Sequence, residues 1–148
     1  YLGEDYLGGI IFHLYIGADG QQHGLLVSKT ESTAKWQTAA TTTNGNRTWD
    51  GAYNTNLMTN SPARNWVEGL GSGWYLPAVD ELSLLWNARY TANNALYNGG
   101  NTLLTTSGNY WTSTELDTGQ AIYIGFFSGT TNVNSKTTTY SVRAVKAF

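Results

Sequence analysis

The residues of this chain that could carry out acid–base, nucleophilic or metal chemistry are few and form no familiar catalytic pattern. The 148 residues include two His and no Cys, which excludes disulfides, thiolate metal sites and a cysteine nucleophile. No Gly-x-Ser-x-Gly turn occurs, and the Gly residues are scattered at turns instead of forming a phosphate-binding loop. We therefore expect a protein that is not an enzyme and that needs no cofactor.

His13 and His23 are the pair of side chains that could come together on a metal ion. They lie in the strand-like runs Gly8–Ile16 and His23–Ser28, which flank a turn at residues 18–20 and predict an N-terminal hairpin. The two rings could approach each other across this hairpin. No carboxylate follows at a matching spacing, however, and a structural His is far commoner than a ligand, so we expect no metal site.

Asp80 and Glu81 are adjacent carboxylates, but their placement does not favour catalysis. They lie in Gly73–Asn87, where Pro77 and an apolar face predict the clearest helix of the chain. Neighbouring residues on a helix point about 100° apart, whereas a catalytic pair faces across a cleft. We expect these acids to stabilise the positive end of the helix dipole.

Charge and hydropathy exclude two classes of partner. The chain has 8 Lys+Arg against 10 Asp+Glu, without the basic stripe that holds a phosphate backbone, so nucleic acid is not an expected partner. No apolar run approaches the roughly 20 residues needed to span a bilayer, and the N-terminus lacks the pattern of a signal peptide. Six Trp and ten Tyr instead favour an extracellular binding module, because ring faces and neutral polar groups suit sugars and protein surfaces.

The C-terminal part predicts an antiparallel meander. Its three strand-like runs are Tyr110–Glu115, Ala121–Phe127 and Tyr140–Phe148, which are rich in β-branched and aromatic residues and are separated by polar, Gly-containing segments. Alternation in the middle run places one set of side chains towards the core, namely Ile122, Ile124 and Phe126. The opposite set, which includes Tyr123 and Phe127, is either a second packed layer or a contact surface.

Two or three helices are expected between the hairpin and the meander. A short helix is predicted within Thr48–Met58, a second from Pro62, capped by Ser61, to about Leu70, and a third is Gly73–Asn87. The segments Lys29–Arg47, anchored by Trp36, and Asn93–Gly108 read as polar loops. The sequence thus predicts one α+β domain over residues 1–148, in which a strand of the N-terminal hairpin pairs with a C-terminal strand.

A ligand-binding surface is predicted on the outward face of the meander. Tyr123 and Phe127 would be joined there by Thr112 and Thr114 of the preceding strand and by Asn132 and Asn134 of the following loop. Rings supply contact area at low entropic cost, and short polar side chains supply adaptable hydrogen bonds. The alternative is that both rings pack beneath the two long loops.

Arg143 is expected to be buried, because it interrupts an apolar strand. Such a charge is usually paired, and the planar guanidinium suits a carboxylate. Glu115 and Glu81 are the predicted partners in this structural ion pair. A cation that faces a ligand is the alternative.

The ordered motifs YLGEDYLGGIIFHLY, HGLLVS, GWYLPAVDELSLLW, YWTSTE and YSVRAVKAF resemble the Lcl C-terminal domain family, named for the C-terminal domain of the Legionella collagen-like adhesin. The resemblance implies a C-type-lectin-like fold in a bacterial surface or secreted protein. The calcium motifs of C-type lectins are absent, so calcium-dependent sugar binding is not expected. The Lcl domain is associated with sulfated glycosaminoglycans, which require clustered cations. Here only Lys136, Arg143 and Lys146 are basic near the C-terminal end, so this ligand is not expected.

Three functions follow from the sequence and the resemblance. The first is a non-enzymatic extracellular module, an adhesin or receptor-binding domain, that recognises a glycan or protein on a host or bacterial surface. The second is a structural domain that caps a fibre or drives homo-oligomerisation, for example as a trimer. The third is a retroelement-diversified receptor-binding protein of a bacterium or a phage virion, suggested by the Asn- and Thr-rich segment Asn132–Tyr140.

Overall fold

The computed structural model describes residues 1–148 as ten strands and four helices. The strands are β1 (Asp5–Tyr6), β2 (Gly9–Ile16), β3 (Gln22–Ser28), β4 (Ser32–Lys35), β5 (Trp74–Tyr75), β6 (Asn109–Glu115), β7 (Gln120–Gly125), β8 (Thr130–Ser135), β9 (Thr139–Val142) and β10 (Val145–Ala147). The helices are α1 (Gly51–Leu57), α2 (Pro62–Gly69), α3 (Val79–Asn87) and α4 (Arg89–Asn98). The mixed α+β class is confirmed, with more helices than the sequence predicted.

The first sheet joins the two ends of the chain. Its strand order is β1-β2-β3-β10-β5, and the predicted hairpin is confirmed as the antiparallel pair β2–β3. β10 lies beside β3, with Val145 opposite Val27 and Ala147 opposite Leu25. The predicted pairing of a hairpin strand with a C-terminal strand is therefore also confirmed, and it closes what would otherwise be an open edge of the hairpin.

The second sheet has the order β4-β9-β6-β7-β8. β6, β7 and β8 form an antiparallel meander, and β9 then crosses back to lie parallel to β6. The prediction of a single strand over Tyr140–Phe148 is wrong. Arg143 and Ala144 separate β9 from β10, so this run belongs to both sheets and links them covalently.

Three segments differ from the sequence prediction. Lys29–Arg47 contains β4, Asn93–Gly108 begins inside α4, and the predicted Asn132–Tyr140 loop begins inside β8. The predicted helix Gly73–Asn87 starts only at Val79, because Trp74–Tyr75 pairs with β10 as β5. In α4 only Ala92 and Leu96 are buried, and this narrow apolar stripe is a weak helix signal.

Both sheets pack on both faces, in two hydrophobic clusters. One cluster contains α3, α4 and Ile124 of β7, and the other contains α2, Trp36 and Ala121 of β7. Trp36 is fully buried, as expected of an anchor. The outward face of the meander is therefore largely a second packed layer, the first of the two alternatives that the sequence left open.

Glu81 fastens the start of α3 to α1. Its Oε1 accepts hydrogen bonds from the backbone N–H of Gly51 (2.8 Å) and of Ala78 (3.0 Å), and its Oε2 accepts one from the hydroxyl of Tyr75. Burial raises the pKa of Glu81 above its ordinary value, and these hydrogen bonds only partly oppose that effect. The side chain therefore does more than stabilise the helix dipole.

Glu81→Gln is expected to flatten the pH dependence of stability above about pH 4.3, the ordinary pKa of a Glu side chain. Because the folded pKa is raised, the folded protein binds the proton more tightly than the unfolded chain. The resulting stabilisation is fully present below the unfolded pKa and is lost as the pH rises through the folded one. Urea unfolding between pH 4 and 7.5 measures it. Asp80→Asn, next to it and exposed, is the control that should keep the wild-type slope.

Candidate functional site

The surface predicted around Tyr123 is only partly present. The Tyr123 ring is half-buried against Trp111 and Tyr140, with ring centroids 6.2 and 4.7 Å away. Asn132 lies opposite Tyr123 in the β7–β8 ladder and is exposed, while Asn134 donates a hydrogen bond from Nδ2 to the Tyr140 hydroxyl at 2.6 Å. Partial burial and the neighbouring Tyr140 raise the pKa of Tyr123 above its ordinary value.

Thr112 and Thr114 do not belong to that surface, contrary to the prediction. They are 0% and 2% exposed. The Thr112 hydroxyl donates to the carbonyl of Ile122 at 2.8 Å, and the Thr114 hydroxyl donates to the carbonyl of Arg47 at 3.1 Å. Because β6 is the central strand of its sheet and is covered on both faces, these hydroxyls hold elements together.

Phe127 is 85% exposed, but it lies in the turn between β7 and β8. The strand alternation that was expected to align it with Tyr123 ends at Gly125. It therefore lies at the end of the β7–β8 hairpin and not on the face of Tyr123. The sheet surface that remains consists of Tyr123, Asn132 and Asn134, together with Tyr140, which the sequence did not place there.

The predicted ion pair is wrong in its partners. Arg143 is fully buried, as expected, but it pairs with Glu31, with Nη1 3.2 Å from Oε1. Glu115 pairs instead with the buried Lys136, whose Nζ lies 2.7 Å from Oε2. Glu81 pairs with neither cation, because its hydrogen-bond partners are two backbone amides and a tyrosine hydroxyl. These charges support the fold and do not face a ligand.

The two His side chains flank Tyr15 and do not meet. Their ring centroids lie 5.8 and 5.6 Å from that of Tyr15, and Nε2 of His23 lies 2.9 Å from a carboxylate oxygen of Asp19. No three His, Asp or Glu side chains are placed so that they could share a metal ion.

A groove along α4 is one of three concave surfaces of the protein, and the sequence did not predict it. Tyr90 and Tyr97 are seven positions apart, so they share one face of the helix, and they are 83% and 72% exposed. The groove has a volume of about 460 Å³ and is lined by the α4 residues Arg89, Tyr90, Asn93, Asn94 and Tyr97, and by Leu103 and Thr106. The i, i+7 spacing of the rings is the signal that could have predicted it.

The second wall of the groove is fixed by Asn93. Its Oδ1 accepts a hydrogen bond from the backbone N–H of Leu104 at 2.7 Å, and its Nδ2 donates to the carbonyl of the same residue at 3.2 Å. This two-point contact holds the segment after α4 against the helix. Leu103 and Thr106 are thereby kept at the rim.

Arg89 places an oriented cation at one end of the groove. Its guanidinium lies over the Trp86 ring, 4.0 Å from the centroid, and Nη1 donates to the carbonyl of Trp86 at 2.8 Å. Nε and Nη2 make no hydrogen bond within the protein and remain available to a ligand. The groove thus offers two ring faces, the exposed amide of Asn94 and a held guanidinium.

The protein has two sheets that both pack on helices and a concave surface lined by tyrosine rings. It is therefore a mixed α+β protein with features of a binding module. The chain belongs to the Lcl C-terminal domain family, which matches residues 26–146, so the predicted family is confirmed. No curated protein sequence matches it. None of its helices has the length and apolarity that crossing a membrane requires.

A solved structure shows the same fold. It is the crystal structure of a fimbrial protein from Bacteroides ovatus ATCC 8483, with a TM-score of 0.71 and 19% sequence identity. The match covers 88% of this chain but only 37% of the fimbrial protein. At this identity the likeness shows a shared architecture.

Proposed function

We propose that the chain is a non-enzymatic, calcium-independent binding module of a bacterial surface protein, an adhesin that works outside the cell and recognises a glycan. Membership of the Lcl C-terminal domain family and the likeness to part of a fimbrial protein support a surface role. The proposal includes a C-type-lectin-like fold for residues 1–148 as one module. The pairing of β10 with β3 supports one module over these residues, because both ends of the chain contribute to one sheet.

The α4 groove is the observation that carries the proposal. Its volume of about 460 Å³ falls within the range of small-molecule sites, which combine apolar walls with a few placed polar groups. The faces of Tyr90 and Tyr97 can pack against the C–H faces of sugar rings. The free donors of Arg89 and the amide of Asn94 can bind the hydroxyl groups.

Tyr90→Ala combined with Tyr97→Ala is expected to weaken glycan binding at least tenfold, a loss of about 1.4 kcal/mol, while leaving the fold intact because both rings are exposed. A glycan array identifies a responding oligosaccharide, and calorimetric titration with that oligosaccharide measures the affinity.

The matched control is Tyr123→Ala combined with Phe127→Ala, which removes two rings that do not line the groove. Unchanged affinity in the control assigns binding to the groove. A control that loses binding while the groove variant keeps it would instead assign the site to the sheet surface of Tyr123, Asn132 and Asn134. Folded wild-type protein that binds neither array glycans nor whole cells would contradict the glycan function.

A structural or oligomerisation role is the second candidate function, and it is favoured by the open edge of β8. The third candidate is a retroelement-diversified receptor-binding protein. Such diversification would have fewer variable positions available than the sequence alone suggests. Within Asn132–Tyr140, Lys136 is buried and paired, so this segment tolerates variation only at its exposed positions.

A further inference from the structure

β8 is an open and unusually accessible sheet edge. It pairs with β7 on one side and has no neighbour on the other. The other edge strands are β1 and β5, with two residues each, and β4, with four residues including Lys35. β8 has six residues, and its sequence TTNVNS contains no charge and no Pro. Natural sheets usually protect such edges with charges, Pro, bulges or short strands.

The outward backbone groups of β8 can be identified from its register. Gln120 lies opposite Ser135, so Lys136 lies opposite Gly119, and it donates its backbone N–H to the carbonyl of that residue. Hydrogen-bonded pairs alternate along an antiparallel ladder. The backbone N–H and C=O groups of the even-numbered residues of β8 therefore point towards β7. The N–H and C=O groups of the odd-numbered residues therefore point away from the sheet. At Ser135 they are satisfied by the Asn134 side chain and by the backbone N–H of Thr138. Thr131 and Val133 keep four free groups.

We propose that a second copy of this chain binds this edge by antiparallel β8–β8 pairing, which joins the two sheets into one across a two-fold axis. The register follows from the free groups. If Thr131 faces the partner's Val133 and Val133 faces the partner's Thr131, all four outward groups of each strand are used in four hydrogen bonds. Asn132 then lies opposite the partner's Asn132 at the centre.

The side chains of β8 are compatible with their own copies in this register. Thr131 beside the partner's Val133 is a β-branched cross-strand pair, which stabilises a sheet. The central Asn132 amides can bond to each other, since each has a donor and an acceptor. No charge of β8 is brought against its own copy. β8 carries no charge, and its side chains match those of its own copy in a register that is symmetric about Asn132. The strand therefore fits a second copy of itself.

Phe127 adds apolar area to the same contact. It lies in the turn before β8 and is largely exposed, and the register carries it towards the turn that follows β8 in the partner, near Thr137. The pairing thus accounts for an exposed ring next to an open edge. Antiparallel pairing of identical strands has two-fold symmetry, so it predicts a dimer and not the trimer that the family resemblance implies.

The register is tested with single cysteines, since the chain has no Cys. In the paired strands the two Asn132 Cα atoms would lie about 4.5 Å apart, which lies within the range for a disulfide. Thr130 is exposed on the same face of β8, but its copy would lie about 13 Å away, four residues along the strand. Under mild oxidation Asn132→Cys should cross-link at least tenfold faster than Thr130→Cys.

Association itself is tested by light scattering or sedimentation over a range of protein concentrations. Val133→Lys puts a charge beside the partner strand and should raise the dimer dissociation constant at least tenfold, whereas Asn98→Lys, on α4, should leave it unchanged. Equal cross-linking of the two cysteine variants would overturn the proposal, as would a monomer at all concentrations or a dimer insensitive to Val133→Lys. This edge is separate from the α4 groove, so glycan titration of Val133→Lys reports on the two proposals independently.

Discussion

Glu115→Gln is expected to lower the free energy of unfolding by about 3–5 kcal/mol, the cost of removing one partner from a buried ion pair. Lys136 is fully buried, and besides Glu115 its Nζ bonds to the carbonyl of Thr41 at 2.8 Å. Gln has no charge to balance this ammonium. Glu115 also accepts the backbone N–H groups of Thr43 and Asn44, at 2.7 and 3.0 Å, so the loop before α1 should loosen with it.

The control is Glu68→Gln in the exposed i, i+4 pair with Arg64, which should cost about 0.5 kcal/mol. Burial acts to raise the pKa of Glu115, but the hydrogen bonds from Lys136, Thr43 and Asn44 outweigh it and lower the pKa. The ionised form therefore stabilises the fold above the unfolded pKa, and this stabilisation is lost as the pH falls through the lowered value. Urea unfolding at pH 7 should show the full difference from the wild type. An equal cost for both variants would contradict the argument.

The elements that could be predicted from the sequence are those whose local pattern agrees with their final environment. β2 and β3 are largely apolar runs that flank a Gly-containing turn, and α2 begins with Ser61 as N-cap followed by Pro62. Helix α4 escaped prediction because Tyr90, Asn94 and Tyr97 give it a polar and aromatic outer face, and only a narrow stripe is buried. The groove was missed with it, since a groove needs the helix and the wall that Asn93 pins to it.

The partners of the buried charges could not be predicted, because they are set by tertiary contacts. Glu31 lies 112 positions from Arg143 in the chain, and no local pattern connects them. Lys136 lies in a polar segment typical of a surface loop, yet it is buried against the Trp36 ring, 4.8 Å from the centroid. Likewise, alternation places Thr112 on one face of β6, but the burial of that side chain depends on the tertiary packing that covers both faces of the sheet.

Arg143→Lys is the second substitution expected to have a large effect, about 3 kcal/mol or more. The guanidinium joins separate segments, since Nε donates to the carbonyl of Ser28 and Nη2 to that of Thr102, both at 2.8 Å, while Nη1 pairs with Glu31. A Lys ammonium is a compact donor and cannot reproduce this planar fork, so it leaves buried carbonyls unpaired, at about 1–3 kcal/mol each.

Arg47→Lys is the matched control for the loss of a guanidinium. Arg47 pairs with Asp50 at 2.9 Å and stacks on Tyr53, but its side chain is 39% exposed. Water can therefore replace the lost hydrogen bonds, and the expected cost is below about 1 kcal/mol. Urea unfolding measures both variants at one pH. If Arg143→Lys proves as stable as Arg47→Lys, the buried guanidinium is not what holds Ser28, Thr102 and Glu31 together. Packing of the neighbouring core would then be what stabilises the arrangement of these segments.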